Sequence, residues 1–178
     1  ELKPKKDVEI VIASGDMDTL QLVKKDRVTV SPLNKGLNDT IMYDEKAVVD
    51  RYGFTPDLVP DYKGLRGDPS DNIIGIPGVG EKTATELIMA FGAIENLYKE
   101  LKKSEEKFAA KGNVKPRMVA LLKEHEEDAL FSKMLTTIRT DAPIAFSLPK
   151  EDWEIRGRLD TILALFDELG FRSLRGRA

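Results

Sequence analysis

The sequence predicts an α/β chain in which a partial parallel or mixed sheet is followed by a mainly helical lobe. Three observations carry this expectation. Residues 8–13 (VEIVIA) are a short β-branched run, the composition of a buried strand. After Ile76-Pro77-Gly78-Val79-Gly80, the residues Ala84, Leu87, Ile88 and Phe91 recur at i, i+3, i+4 and i+7, the period of a helix with one apolar face. Near the C-terminus Leu159, Ile162, Leu163, Phe166 and Leu169 repeat helical spacing across residues 158–169.

Taken in order, residues 8–13 form the first strand, Ser14-Gly15-Asp16-Met17-Asp18 comes next, and a helix-like run covers 19–23. Residues 28–30 and 40–43 read as strands around a polar turn at 34–39. Asp44 is placed to cap a helix that runs to Tyr52, and Gly53 to end it. Thr55-Pro56 starts another, with Pro56 at the first helical position, and it runs towards Gly67. The helix over 81–91 stops at Gly92, and residues 93–102 read as the next helix. Residues 104–115 are charged, poor in apolar side chains and expected to be mobile. Pro116 starts a long helix with Met118, Leu121, Leu122 and Leu130 inward, and residues 135–138 read as a strand. No internal repeat is visible.

A chain of 178 residues with 41% apolar and 33% charged residues has the composition of a globular domain, or of a domain with a lobe. The absence of cysteine excludes disulfides and thiolate zinc sites. No leader or membrane-length apolar run is seen, so the cytoplasm is expected and a membrane partner is not. The net charge of −3 does not by itself favour nucleic acid. Residues 99–123, however, hold eight basic side chains. That segment reads either as part of a phosphate path or as a solvated, lysine-rich loop.

The glycine hairpin has a specific chemical use. Gly78 and Gly80 let the backbone turn sharply and let a ligand approach without a Cβ in the way. They stand where a helix begins, and free N–H groups and the positive dipole end there favour an anion. Lys82 and Thr83 can add a charge and a hydroxyl. Apolar-Pro-Gly-apolar-Gly, then a basic residue and a small residue, is the helix-hairpin-helix signature. The candidate DNA-binding residues are therefore Gly78, Val79, Gly80, Lys82 and Thr83, gripping a backbone phosphate without reading bases.

Two acidic pairs accompany the hairpin, Asp16 with Asp18 and Asp68 with Asp71. Singly, Asp18 reads as a helix cap and Asp71 as a turn cap. As two pairs, each behind a glycine and one beside the hairpin, they read as oxygen ligands for Mg²⁺ or Mn²⁺. Paired ions roughly 4 Å apart are the standard device for cleaving a phosphodiester with water.

These residues resemble the 5′-3′ exonuclease domains of bacterial DNA polymerases I, within the flap endonuclease family. The carrying motifs are Ser14-Gly15-Asp16-Met17-Asp18-Thr19-Leu20-Gln21-Leu22-Val23, Tyr52-Gly53, Pro56-Asp57, Asp61-Tyr62, Gly67-Asp68 to Asn72, the hairpin, and Phe171-Arg172-Ser173-Leu174. The resemblance implies a metal-dependent nuclease of DNA replication and repair that acts at 5′ ends and flaps of branched or nicked duplexes. It implies Asp16, Asp18, Asp68 and Asp71 as metal ligands, with no catalytic residue beyond them. It also implies a K⁺ ion at the hairpin loop. Met17 departs from the family, which commonly has Lys or Arg there. By resemblance, residues 1–66 are a remnant of the nuclease α/β core and residues 67–178 the DNA-binding C-terminal subdomain. About half of the domain, with further acids and a helical arch, would lie before residue 1. Little cleavage is therefore expected of these residues alone, and a dimer or a partner is expected over the sheet edge.

Two other readings compete with the nuclease: a helix-hairpin-helix clamp without chemistry, and half of a nuclease completed by another chain. The remaining conspicuous residues have plainer uses. His125 lies among Glu124, Glu126 and Glu127 and reads as a solvated helix face. Trp153 reads as a packing anchor rather than a base platform, and Arg172, Arg175 and Arg177 as a basic tail.

Overall fold

The structure, a computed structural model, describes residues 8–25, 27–32, 41–149 and 158–175. They fall into two compact units, Glu1–Ala142 and Pro143–Ala178. The first unit spans the 66/67 boundary read from the sequence.

The α/β expectation holds, with a small sheet and many helices. Strand β1 (Ile10–Ala13) pairs in parallel with β2 (Val28–Ser31), Ile10 opposite Val28 and Ala13 opposite Ser31. A 3-10 helix, Met17–Leu22, crosses between them. Tyr43 makes only a single antiparallel bridge to Val30, with N–H···O distances of 2.8 and 3.0 Å, in place of the strand expected over 40–43. Thr40 and the expected turn at 34–39 lie outside the described residues, as do Trp153 and Arg177.

Helix α1 (Glu45–Tyr52) is capped by Asp44, whose Oδ1 accepts from Ala47 N at 2.7 Å, and it ends at Gly53 with φ 83°. Pro56 opens a short 3-10 turn that leads into α2 (Val59–Arg66). Next come α3 (Glu81–Phe91), α4 (Ile94–Lys103), α5 (Glu105–Gly112), α6 (Pro116–Glu124) and α7 (Glu126–Thr136). The spacing on α3 is borne out, since Ala84, Leu87, Ile88 and Phe91 are all buried.

Three expectations fail for identifiable reasons. Residues 104–115 are not a mobile charged loop. Ser104 Oγ caps α5 by accepting from Lys107 N, and Phe108 is buried and stacked on Phe91 with centroids 4.2 Å apart. Such a pair adds roughly 0.5–1.5 kcal/mol beyond its area, so one aromatic, with Ala109 beside it, anchors a helix that is otherwise largely charged. The long helix from Pro116 breaks at His125 (φ −109°, ψ 27°), where Nδ1 pairs with Asp128 Oδ2 at 2.7 Å. Residues 135–138 are not a strand: 135 and 136 finish α7, and Ile138 N donates to a side chain, Gln21 Oε1.

In the second unit, α8 (Leu159–Glu168) and α9 (Arg172–Arg175) contain no buried residue. The spacing over 158–169 did predict the helix.

Helix α2 lies at the centre of the first unit and packs closely on α7. Gly64 permits this approach: a Cβ there would come within 2.7 Å of Ile94 Cδ1 and 2.9 Å of the Ala129 carbonyl oxygen. Asp61, one turn earlier, accepts Ile94 N at 2.8 Å and Lys133 Nζ at 2.6 Å, so one buried carboxylate caps α4 and ties down α7. Alanine normally stabilises a helix interior relative to glycine by roughly 0.5–1 kcal/mol. At Gly64 the clash with backbone reverses the sign. Gly64→Ala is expected to lower the unfolding free energy by about 1–3 kcal/mol in urea titrations; a gain in stability would show that the helices are not in close contact.

Candidate nucleic-acid and metal site

The loop after α2 presents the first half of the site. Gly67 (φ 80°) and Gly75 (φ 64°) lie backbone to backbone, and a Cβ on Gly75 would sit 2.1 Å from Gly67 N. Asp68 and Ile73 exchange N–H···O bonds of 2.8 and 2.9 Å across the same loop, and Asn72 takes the left-handed conformation. The closed loop projects Asp68 and Asp71 from a 3-10 turn, Pro69–Asp71. Asp18, on the 3-10 helix after β1, completes the group. Carboxylate oxygens of Asp18, Asp68 and Asp71 lie within 4.8 Å of one another. Asp18 and Asp68 are buried and Asp71 is exposed.

Asp16 is not in this group. Its Oδ1 accepts Asp18 N at 2.9 Å, so it caps the 3-10 helix and orients the backbone that carries Asp18.

Lys63 of α2 is the residue that sequence reasoning missed. Its ammonium lies between two of the carboxylates, in contact with Asp18 Oδ1 and 2.5 Å from Asp68 Oδ2. A lysine on a face otherwise buried, five residues before Asp68, was the available signal. Burial opposes ionisation of Asp68, but hydrogen bonds from Lys63 and Ser70 outweigh it and hold its carboxyl below the usual carboxylate range. The donor set fits a hard divalent cation. All three donors are carboxylates. Asp18 Oδ1 is enclosed and accepts no well-angled hydrogen bond even with Lys63 against it. A single ammonium, that of Lys63, stands against the three carboxyl groups.

The second half is the hairpin. Ile76 and Val79 are buried, and Val79 N donates to Ile76 O at 3.0 Å. Gly78 has φ 88° and Gly80 is the N-cap of α3, and among the described residues no side chain bonds the free N–H groups of the first turn. A Cβ at Gly80 would meet nothing within 4 Å. Lys82 is exposed and Thr83 half-buried, and both line a groove of ≈ 430 Å³ with Asn113 and Lys115. The uncapped first turn is thus open to an anion.

The first unit thus combines helices, an open glycine hairpin and a cluster of carboxylates. The family described as 5′-3′ exonuclease, C-terminal SAM fold, matches residues 54–160. DNA polymerase I of Bacillus caldotenax is 42% identical over 165 residues, covering 93% of this chain and 18% of that protein. DNA polymerase I of Bacillus subtilis is 39% identical over 169 residues, covering 95% and 18%. The chain thus spans under a fifth of the length of these relatives. Among solved structures, a bacteriophage T5 5′-exonuclease mutant superposes with a TM-score of 0.58 at 20% identity, covering 72% of this chain and 47% of that one. The catalytic core of Rad2 in complex with DNA superposes with a TM-score of 0.54 at 14% identity, covering 93% and 53%. These likenesses show the fold. The chain belongs to the 5′-3′ exonuclease family, and it is homologous to a segment of bacterial DNA polymerase I.

A divalent cation at the cluster would answer the same carboxylates as Lys63 does. Lys63→Met is expected to be less stable than the parent at neutral pH and to gain more in thermal midpoint from millimolar Mg²⁺. Equal Mg²⁺ shifts in the two proteins would show that they do not share a site.

Proposed function

We propose that this chain is the DNA-gripping part of a metal-dependent 5′-3′ exonuclease or flap endonuclease. It would cleave phosphodiesters at 5′ ends and flaps during replication and repair. The observation that carries the reading is the convergence of Asp18, Asp68 and Asp71 within 4.8 Å, in the same unit as an uncapped glycine hairpin. Family membership and the T5 and Rad2 likenesses support it, those structures including metal-bound and DNA-bound forms.

In this reading Asp18, Asp68 and Asp71 hold Mg²⁺ or Mn²⁺, and Asp16 orients Asp18. When bound, such an ion supplies an activated water and charge stabilisation for the leaving oxygen. Gly78, Val79, Gly80, Lys82 and Thr83 hold a backbone phosphate through main-chain N–H groups, a hydroxyl and a charge. A K⁺ ion at the hairpin carbonyls belongs to the same proposal. The site of action is the cytoplasm; no helix among the described residues is long and apolar enough to cross a membrane. The earlier segment of the domain, or a second chain, covers the sheet edge.

Binding is expected to be independent of sequence and to weaken steeply with salt, because it releases counterions. Gly80→Ala tests the hairpin, since an added Cβ meets nothing within 4 Å in the free protein. It should weaken duplex binding for all sequences alike, read by fluorescence anisotropy. Parental affinity would remove the hairpin from the interface.

Chemistry is tested on a labelled 5′-flap duplex with Mg²⁺ or Mn²⁺, using the protein that carries this segment. Asp68→Ala is expected to lower the cleavage rate by roughly 10²-fold or more while leaving duplex binding intact. Equal cleavage by parent and variant would favour the alternative, a helix-hairpin-helix clamp without chemistry.

A further inference from the structure

The carboxylate cluster is assembled from two places far apart in sequence, the 3-10 helix that carries Asp18 and the loop that carries Asp68 and Asp71. Each is a short segment. Both are tied by side-chain hydrogen bonds to a single element, the C-terminal half of α7.

On one side, Gln21 uses both ends of its amide. Its Nε2 donates to Thr136 O at 3.0 Å and its Oε1 accepts Ile138 N at 2.9 Å. Gln21 is three residues beyond Asp18 on the same 3-10 helix, so this fork clamps the helix against the end of α7. On the other side, the buried Ser132 Oγ accepts Gly75 N at 3.2 Å, gripping the 67–75 loop at its tightest point. Between these ties α7 is fixed to α2 by the Lys133–Asp61 pair and the close approach at Gly64. Helix α2 in turn presents Lys63 to the cluster. One helix end therefore references all three parts of the site.

We infer that Gln21 and Ser132 are positioning residues, which hold Asp18 and the Asp68–Asp71 loop in register on α7 so that the three carboxylates meet. This rests on the reading of the cluster as a cation site. Groups behind the ligands of a metal site commonly set its affinity by 10–100-fold. Here they would do so without touching the ion, by setting the distance between the two halves of the ligand set.

The test uses Mn²⁺ binding to the 178-residue chain, followed by the electron paramagnetic resonance signal of the free ion. Water-proton relaxation reports the water left on the bound ion. Gln21→Met keeps the length of the side chain and removes both bonds. Ser132→Ala removes one. Val119→Ala, a buried truncation on α6, controls for lost stability, and Asp68→Asn for the site itself. Each positioning variant is expected to bind Mn²⁺ about 10-fold more weakly, with more water on the ion, while Val119→Ala binds as the parent does. Unaltered affinity in both positioning variants, with the parent binding and Asp68→Asn not, overturns the inference and leaves the cation site standing. Binding by Asp68→Asn equal to the parent, or no binding by the parent, takes both down. If Gln21→Met does not fold, Ser132→Ala alone decides the matter, since it loses a single neutral bond.

Discussion

Three carboxylates within 4.8 Å of one another are the constraint around which the first unit is arranged. Like charges about 4 Å apart repel by roughly 4 kcal/mol at the effective dielectric of a protein surface, and more where water is excluded. Asp18 and Asp68 are both buried, so the fold answers this repulsion locally. Lys63 lies between them. Ser70 donates twice to Asp68 Oδ1, from its backbone N at 3.0 Å and from its hydroxyl. These groups keep Asp68 ionised despite burial.

The glycine hairpin and the carboxylate cluster share a support. Helix α2 carries Lys63, and carbonyls of its last turn anchor both the 67–75 loop and the hairpin. Gly67 N donates to Lys63 O at 2.7 Å, and Ile76 N donates to Leu65 O at 2.9 Å. Loop and hairpin are therefore suspended from one helix end, and their spacing is a backbone property. Glycine is essential where that geometry demands it. At Gly67 and Gly75 two main chains pass too closely for any Cβ, whereas Gly80 faces open space. The first two are therefore needed by the fold itself, and the third is not required by any contact within it.

Helix α7 supplies stiffness from the far side, through polar contacts that an apolar helix could not make. Lys133 satisfies Asp61 and Glu95, Ser132 holds the loop, and the end of the helix receives Gln21. Burial disfavours a charge on Lys133, yet its two carboxylate partners prevail and raise its pKa.

Much of this was legible in the sequence. The strand at Ile10–Ala13, the capped helix α1, the hairpin, the buried face of α3 and the pairing of acids with glycines all obey local rules of period, capping and turn chemistry. Family membership was readable from the motifs that carry those features. The parts that the sequence alone could not decide depended on partners far along the chain. Phe108 turned a charged stretch into a helix because Phe91 was there to stack on it. Residues 135–138 lost their strand because no neighbouring strand among the described residues pairs with them, while Gln21, over a hundred positions earlier, bonded Ile138. Asp16 and Asp18 look equivalent in the sequence. Only the fold separates them: Asp16 Oδ1 is taken up by Asp18 N, and of the two only Asp18 is brought within reach of Asp68 and Asp71. Lys63 was invisible for the same reason: a lysine in a helix is solvated by default, and only tertiary packing brings it between two aspartates.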